Sequence, residues 1–178
     1  SEWIDERFWL FDLEHNTRHD PDTILRQFEY AHMRYRADVF LVDNIMSVDF
    51  DGYSDRDFNR VQSRFTQMLV TFSKRRGVHT HLVVHPRKST SDSNSKVTSD
   101  DVSGSGDITN RADNVFFLPT PETDGKTKPL LQVLKNRDYG SHRHQWLDFD
   151  KKSRRFFQDQ TGDPKRPYGW QQTGVQLQ

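Results

Sequence analysis

The sequence lacks cysteine, long apolar runs and an excess of charge of either sign. Without cysteine, disulfide bonds, cysteine nucleophiles and cysteine-based zinc sites are excluded, which suits a reducing cytosol. No apolar run approaches the roughly 20 residues that span a bilayer, and the opening SEWIDERFWL lacks the basic region of a signal peptide. Because 26 basic residues balance 26 acidic ones, nucleic acid would have to be bound by local patches, or by rings of several subunits, rather than by bulk positive charge.

Aromatic side chains are what the sequence does contain, with 13 Phe, 5 Tyr and 4 Trp. They concentrate in short blocks although only 32% of all residues are apolar. This pattern indicates a packed core with long polar connections rather than disorder. The length of 178 residues suits one domain. We assign residues 1–158 to it and expect the polar residues 159–178 to form a flexible tail.

Alternating apolar runs and helical stripes predict an α/β chain. Apolar residues at helical spacing follow Pro21 and, in a second stretch, end before Gly77. The runs at 39–42 and 115–118 are typical of strands buried on both faces. Further strands are predicted at 7–12, 82–84 and 130–134, and a terminal hairpin at 146–149 and 155–157.

Polar residues follow three of the predicted strands: Asp43, His85 and the run Lys135-Asn136-Arg137. The strand–helix–strand–helix–strand order predicts a parallel, right-handed sheet. In such sheets functional groups collect at the carboxyl ends of the strands. Each of these polar signals therefore has a functional and a structural interpretation.

The functional interpretation of the three signals is phosphate chemistry. An acid in the position of Asp43 holds a Mg²⁺-bound water in P-loop ATPases, although a cap or turn acid fits equally. His85 could contact a phosphate or be a satisfied structural histidine. Lys135 and Arg137 leave the strand on one face. They could stabilise charge on a transferred phosphoryl group, or form a solvated strand end.

A long polar stretch at 86–106 ends in Gly104-Ser105-Gly106, ahead of a short helical segment. Connections of this length are usually functional or disordered. The glycines could aim backbone amides at a phosphate, or form a flexible hinge. Two histidine pairs, His79-x-His81 and His142-x-His144, could bind zinc only with a third ligand.

In their order along the chain, four blocks resemble the RecA-like ATPase domain of ring-shaped replicative DNA helicases, the DnaB group with its phage primase-helicases and mitochondrial Twinkle. The blocks are VFLVDNIM (39–46), HTHLVVHPRK (79–88), GSGDITNRADNVFFL (104–118) and LQVLKNRDYG (131–140). The resemblance covers roughly residues 5–158, which would be a partial RecA-like domain. It implies an α/β fold with a mostly parallel sheet flanked by helices and a C-terminal β-hairpin.

The resemblance also implies roles for single residues. Asp43 would be the Walker B acid that acts on Mg²⁺ through water, with Asn44 beside it at the site of ATP or another NTP. His85 would be the polar sensor that couples the γ-phosphate to the DNA loops. Arg137 would be the arginine finger that reaches into the neighbouring subunit, and Lys135 the lysine that acts beside it.

Partners follow from the same resemblance. The 86–106 stretch would face the central channel of a homo-hexamer and bind single-stranded DNA through Arg87, Lys88, Lys96, Gly104, Ser105 and Gly106. A primase domain could precede the chain, translocation would run 5′ to 3′, and no membrane is involved. The cytoplasm of a bacterium or of a phage-infected cell is the expected location, with the mitochondrial matrix as the alternative.

Two family motifs have no match in the sequence: the GxxxxGK[ST] P-loop and the catalytic Glu that follows the next strand. The chain is therefore expected to be the C-terminal part of a helicase domain, without the P-loop portion of the fold. Two alternatives stay open. One is a RecA/KaiC-type ATPase that does not unwind DNA, and the other is a catalytically silent module for assembly or single-strand binding.

We predict that the 178-residue chain alone neither binds Mg-ATP tightly nor hydrolyses it, because the sequence contains no Gly-rich phosphate loop and no Walker lysine. Calorimetric titration with Mg-ATP should show no binding in the micromolar range. A micromolar dissociation constant would contradict this prediction.

Overall fold

The computed structural model of the chain describes residues 5–11, 19–50, 57–85, 106–118, 129–140 and 143–158. They belong to two compact units, residues 1–113 and residues 114–178. None of the helices in the described ranges has the length and apolar character of a membrane-spanning segment.

The first unit alternates helices and strands. Its elements are α1 (Pro21–Tyr35), β1 (Val39–Val42), a 3-10 turn (Ile45–Ser47), α2 (Phe58–Arg76), β2 (His79–Leu82) and α3 (Gly106–Arg111). The second unit contains the strands β3 (Asn114–Phe117), β4 (Leu130–Asn136), β5 (His144–Trp146), β6 (Asp148–Asp150) and β7 (Arg155–Phe157).

The two long helices are bounded by the signals that the sequence contains. Asp20 caps α1 by accepting a hydrogen bond from the Thr23 amide at 2.9 Å, and Pro21 occupies the first turn. At the end of α2, Gly77 adopts the left-handed conformation with φ 66°, and its amide donates to the Ser73 carbonyl. Both predicted helices are confirmed.

The parallel pairing predicted for the first unit is confirmed between β1 and β2, where Val39–Val42 lie in register with His79–Leu82. Both helices contact one face of this pair. The ring centroid of Phe40 lies 4.6 Å from that of Phe28 on α1 and 5.2 Å from that of Phe72 on α2. The buried core beside these rings contains Val42, Ile45, Val48, Phe65, Leu69 and Ile108.

Burial on both faces, predicted for the apolar strands, is wrong within the described residues. Val39 is 59% exposed and Leu41 56% exposed, whereas Phe40 and Val42 are buried. Successive side chains of a strand point to opposite faces, and α1 and α2 contact only the face that holds Phe40. The second apolar strand behaves likewise, since Phe116 of β3 is 63% exposed.

Two predicted strands differ from those observed. The strand predicted at 7–12 is not formed in its described part: residues 8–11 are irregular, and Trp9 stacks on Tyr35 of α1 with ring centroids 5.0 Å apart. In the described ranges no strand pairs with these residues. The strand predicted at 82–84 begins earlier, because the polar residues at its start were not part of the apolar run.

The second unit is antiparallel. β4 pairs antiparallel with β3 on one side and with β5 on the other. The predicted C-terminal hairpin is confirmed as β6 and β7, where Phe149 packs against Phe156 with ring centroids 4.8 Å apart. Trp146, predicted to belong to this hairpin, ends β5 instead.

Asp20→Ala should lower the free energy of unfolding by about 1 kcal/mol, because the Asp20 carboxylate accepts bonds from both the amide (2.9 Å) and the hydroxyl (2.7 Å) of Thr23. The Thr23 amide, followed by its hydroxyl, holds the pKa of Asp20 below 3.8. A carboxyl with a depressed folded-state pKa stabilises fully above its unfolded pKa and loses this effect as the pH falls through the folded value.

Urea unfolding of the wild type and of Asp20→Ala, at neutral and at acidic pH, tests this expectation. Asp20→Asn is the matched control, because an asparagine caps a helix without titrating. The difference between wild type and Asp20→Ala should shrink in acid, whereas a difference that is constant with pH would exclude the carboxylate as its source.

Candidate active site

The carboxyl ends of β1 and β2 are joined beyond their last paired residues. The Val83 amide donates to the Val42 carbonyl at 2.9 Å, and the Ile45 amide donates to the Val83 carbonyl at 3.0 Å. These two bonds extend the parallel ladder past both strands. They bring the segment that begins at Asp43 alongside the segment that ends at His85, as the predicted parallel sheet requires.

Asn44 connects the two segments through its side chain. Its Nδ2 lies 3.0 Å from Nε2 of His85, and its Oδ1 accepts a hydrogen bond from the Met46 amide at 2.8 Å. Its carbonyl accepts from both the hydroxyl (2.7 Å) and the amide (3.0 Å) of Ser47. Asn44, joined to Asp43 by a cis peptide bond, caps the 3-10 turn and holds His85 at the same time.

Asp43 and His85 present exposed polar groups above a buried base. Both residues are exposed, whereas Val42 and the fully buried Ile45, which flank Asp43 and Asn44, belong to the core. No group of three metal-capable side chains occurs in the described ranges. An exposed carboxylate oxygen fits Mg²⁺, which usually keeps several waters and takes one or two carboxylates plus substrate phosphates.

The short helix α3 is anchored to α2 in the same unit. Ile108 is buried in the core. Arg111 donates from Nε to the Ser63 hydroxyl at 2.9 Å and from Nη1 to Oε1 of Gln67 at 2.5 Å. Gly106, a predicted DNA-contact residue, is the first residue of α3. The anchoring role of Arg111 was not predicted, because its partners lie more than 40 positions earlier in the sequence.

Lys135 and Arg137 belong to the second unit. Lys135 lies on β4, half-buried and in register with Val115 of β3, and Arg137 follows the strand as an exposed turn residue. Asn136 shapes this turn: its side chain accepts from the Tyr139 amide at 3.2 Å, and its carbonyl accepts from the Gly140 amide at 2.9 Å. The two cations therefore mark a strand end, as predicted, while Asp43, Asn44 and His85 belong to the first unit.

Most of the predicted DNA contacts lie outside the described residues. These are Arg87, Lys88, Lys96, Gly104 and Ser105. His142 and the tail at 159–178 lie outside them as well. The assignments made for them stay predictions.

The histidine pair on β2 lies on the exposed face of the parallel strands. The rings of His79 and His81 have centroids 4.4 Å apart, and the residues opposite them are Val39 and Leu41. Partial burial is the larger cause that lowers the pKa of His81 below 6.5, and positive charge on His79 is the second. The pair has no third metal-capable partner within the described residues.

Solved structures with a similar fold include two from helicases, although a comparison with protein-family models finds no match for the chain. The chain is 16% identical to a DnaB-like replicative helicase, described together with its interactions with primase, at a TM-score of 0.60. The match covers 75% of this chain and 33% of that one. The second structure is a separate helicase ATPase domain, 17% identical at a TM-score of 0.62, and the match covers 79% of this chain and 51% of the other.

These similarities confirm the predicted RecA-like α/β fold and the resemblance to helicase ATPase domains at the level of the fold. The chain spans about a third of the first solved chain and about half of the second. Since one fold hosts many activities, function has to be argued from the residues at the site.

His79→Gln should raise the pKa of His81 towards 6.5 without reaching it, because burial, the larger cause of the depression, persists. A folded-state pKa below the unfolded value means that His81 destabilises the fold as the pH falls below 6.5. His81→Gln should therefore make stability less sensitive to mild acid.

An NMR titration of the imidazole resonances measures the first effect, and urea unfolding across the same pH range measures the second. His32→Gln is the control, because it removes a histidine that contacts Ala37 at the end of α1 instead of another imidazole. An unchanged pKa of His81 in His79→Gln would show that the neighbouring ring has no influence.

Proposed function

We propose that the chain is the C-terminal part of a hexameric, NTP-dependent replicative DNA helicase. The observation that carries this proposal is the meeting of Asp43-Asn44 with His85 at the ends of two parallel strands, through the 3.0 Å contact between Asn44 and His85. A carboxylate and an imidazole at this edge suit nucleotide chemistry, and the helicase-like fold supports that assignment.

Asp43 is the residue for the metal-bound nucleotide in this proposal. When bound with a nucleotide, Mg²⁺ supplies charge neutralisation at the β- and γ-phosphates. The exposed Asp43 carboxylate accepts hydrogen bonds from water and holds it at the end of β1. The short, buried-to-exposed step from Val42 to Asp43 gives that carboxylate a fixed backbone position.

His85 couples the nucleotide site to the DNA-binding stretch. It is exposed and held by Asn44 on one side, and in the sequence it directly precedes Pro86, Arg87 and Lys88. A hydrogen bond between His85 and a terminal phosphate oxygen would transmit the presence or loss of that phosphate to the 86–106 stretch. Single-stranded DNA is the partner of this stretch, through its basic side chains and backbone amides.

Arg137 and Lys135 act on the NTP of the neighbouring subunit. A guanidinium is always charged and planar, and Arg137 presents it from an exposed turn after β4. Together with Lys135, it neutralises the charge that develops on a transferred phosphoryl group. Translocation from 5′ to 3′, a primase domain in the parent protein and a cytoplasmic location complete the proposal.

Activity of the full-length parent protein separates this proposal from its alternatives. A replicative helicase should hydrolyse NTP faster with single-stranded DNA and displace a strand from a forked duplex. Hydrolysis without strand displacement would favour a RecA/KaiC-type ATPase. Binding of single strands without any hydrolysis would favour the silent module.

Arg137→Ala in the full-length ring should leave nucleotide binding nearly intact and lower the hydrolysis rate by about 10³, the scale of an arginine finger. Asp43→Asn should instead disturb Mg²⁺ handling in its own subunit. Mixing the two inactive variants should restore part of the activity, because mixed rings place an intact Asp43 site beside an intact Arg137. Steady-state hydrolysis rates and nucleotide titrations measure these effects.

The matched control is Arg143→Ala, which removes another exposed arginine of the second unit and should hydrolyse normally. Subunit exchange is verified beforehand with fluorescently labelled rings. If exchange occurs and no activity returns, action in trans is excluded. If Arg137→Ala hydrolyses at the normal rate, Lys135 and Arg137 are a solvated strand end.

A further inference from the structure

The contact between Asn44 and His85 has a direction, because both ends of the Asn44 amide are in use. A backbone N–H can only donate, so the atom of Asn44 that faces the Met46 amide at 2.8 Å is the acceptor Oδ1. The other end, Nδ2, is then the donor that faces Nε2 of His85 at 3.0 Å. A flipped amide would set two donors against each other at Met46.

An imidazole nitrogen that accepts a hydrogen bond carries no proton. Because Nδ2 of Asn44 donates to it, Nε2 of His85 is the unprotonated nitrogen, and the ring proton is on Nδ1. We propose that Asn44 is a positioning residue that holds His85 as the neutral Nδ1–H tautomer. The tautomer of a histidine is set by the hydrogen bond that its other nitrogen makes.

The backbone around Asn44 leaves this arrangement little freedom. The Asn44 carbonyl is held by two bonds from Ser47. The next residue, Ile45, is fully buried and donates to Val83, two positions before His85. Donor and acceptor are thus fixed by the same ladder that joins the strand ends, so the 3.0 Å contact does not depend on a mobile side chain alone.

The consequence for the site rests on the proposed function. With Nε2 occupied by Asn44, the group that His85 offers to a phosphate oxygen is the Nδ1–H donor. It cannot act there as a base, because its only lone pair is directed at Asn44. His85 would thus detect a phosphate by donating a hydrogen bond, and the strength of that bond would depend on the residue that follows Asp43.

Nitrogen-15 NMR of the imidazole rings in the 178-residue chain tests the tautomer directly, at an alkaline pH where imidazoles are neutral. His85 should show the shifts of a protonated Nδ1 and an unprotonated Nε2. His32 is an internal reference for the same tautomer, because its Nδ1 lies 2.9 Å from the Ala37 carbonyl, which can only accept. An Nε2–H tautomer of His85 in the wild type would overturn the proposal.

Asn44→Asp is the decisive variant. An aspartate keeps an acceptor for the Met46 amide but presents a second acceptor to His85, so the His85 tautomer should invert to Nε2–H while that of His32 stays unchanged. Ser47→Ala is the matched control, because it removes a bond to the Asn44 carbonyl without changing the amide, and it should leave the tautomer as it is. An unchanged His85 tautomer in folded Asn44→Asp would refute the role of Asn44. If that variant does not fold, the wild-type spectrum still decides.

Failure of this inference is distinct from failure of the proposed function. The spectra concern the tautomer only and need no nucleotide. In the full-length parent, Asn44→Asp and His85→Ala should both reduce the stimulation of hydrolysis by single-stranded DNA. Full stimulation in both variants, together with the expected spectra, would remove His85 from the coupling role while its tautomer stands.

Discussion

Parallel pairing of β1 with β2 is the constraint on which the rest of the first unit depends. It requires a crossover connection, which α2 supplies, and it places the ends of both strands at one edge. The same pairing presents Phe40 and Val42 to the helices, so the aromatic packing and the alignment of Asp43 with His85 have one cause. Loss of this register would affect core and site together.

Local signals in the sequence were sufficient for the helices and for the positions of the site residues. Pro21 and Gly77 bound α1 and α2 for reasons that depend only on neighbouring residues. Asp43 and His85 could be placed at one edge because an apolar run ends directly before each of them. The fold class followed from the order of such elements, and the structural similarity to helicase ATPase domains agrees with it.

Contacts between distant residues could not be predicted in the same way. The bond between Asn44 and His85 joins residues 41 positions apart, and its direction depends on an amide two residues further on. The anchoring of Arg111 on α2 is invisible in a sequence where an arginine in a short helix looks solvent-exposed. The apolar run of β1 indicated two buried faces, but the run alone does not reveal what covers each face, and Val39 and Leu41 are exposed.

The stretch between β2 and α3 begins and ends at points that are fixed in one unit. At its start His85 is held by Asn44, and at its end Ile108 and Arg111 are held by the core and by α2. The entropy of closing a flexible loop grows slowly with length, by about 0.6 kcal/mol for each doubling. Insertions and deletions at 86–105 are therefore inexpensive for folding, and related chains can differ widely in length there while they keep the same frame. Selection on this stretch acts on what it binds.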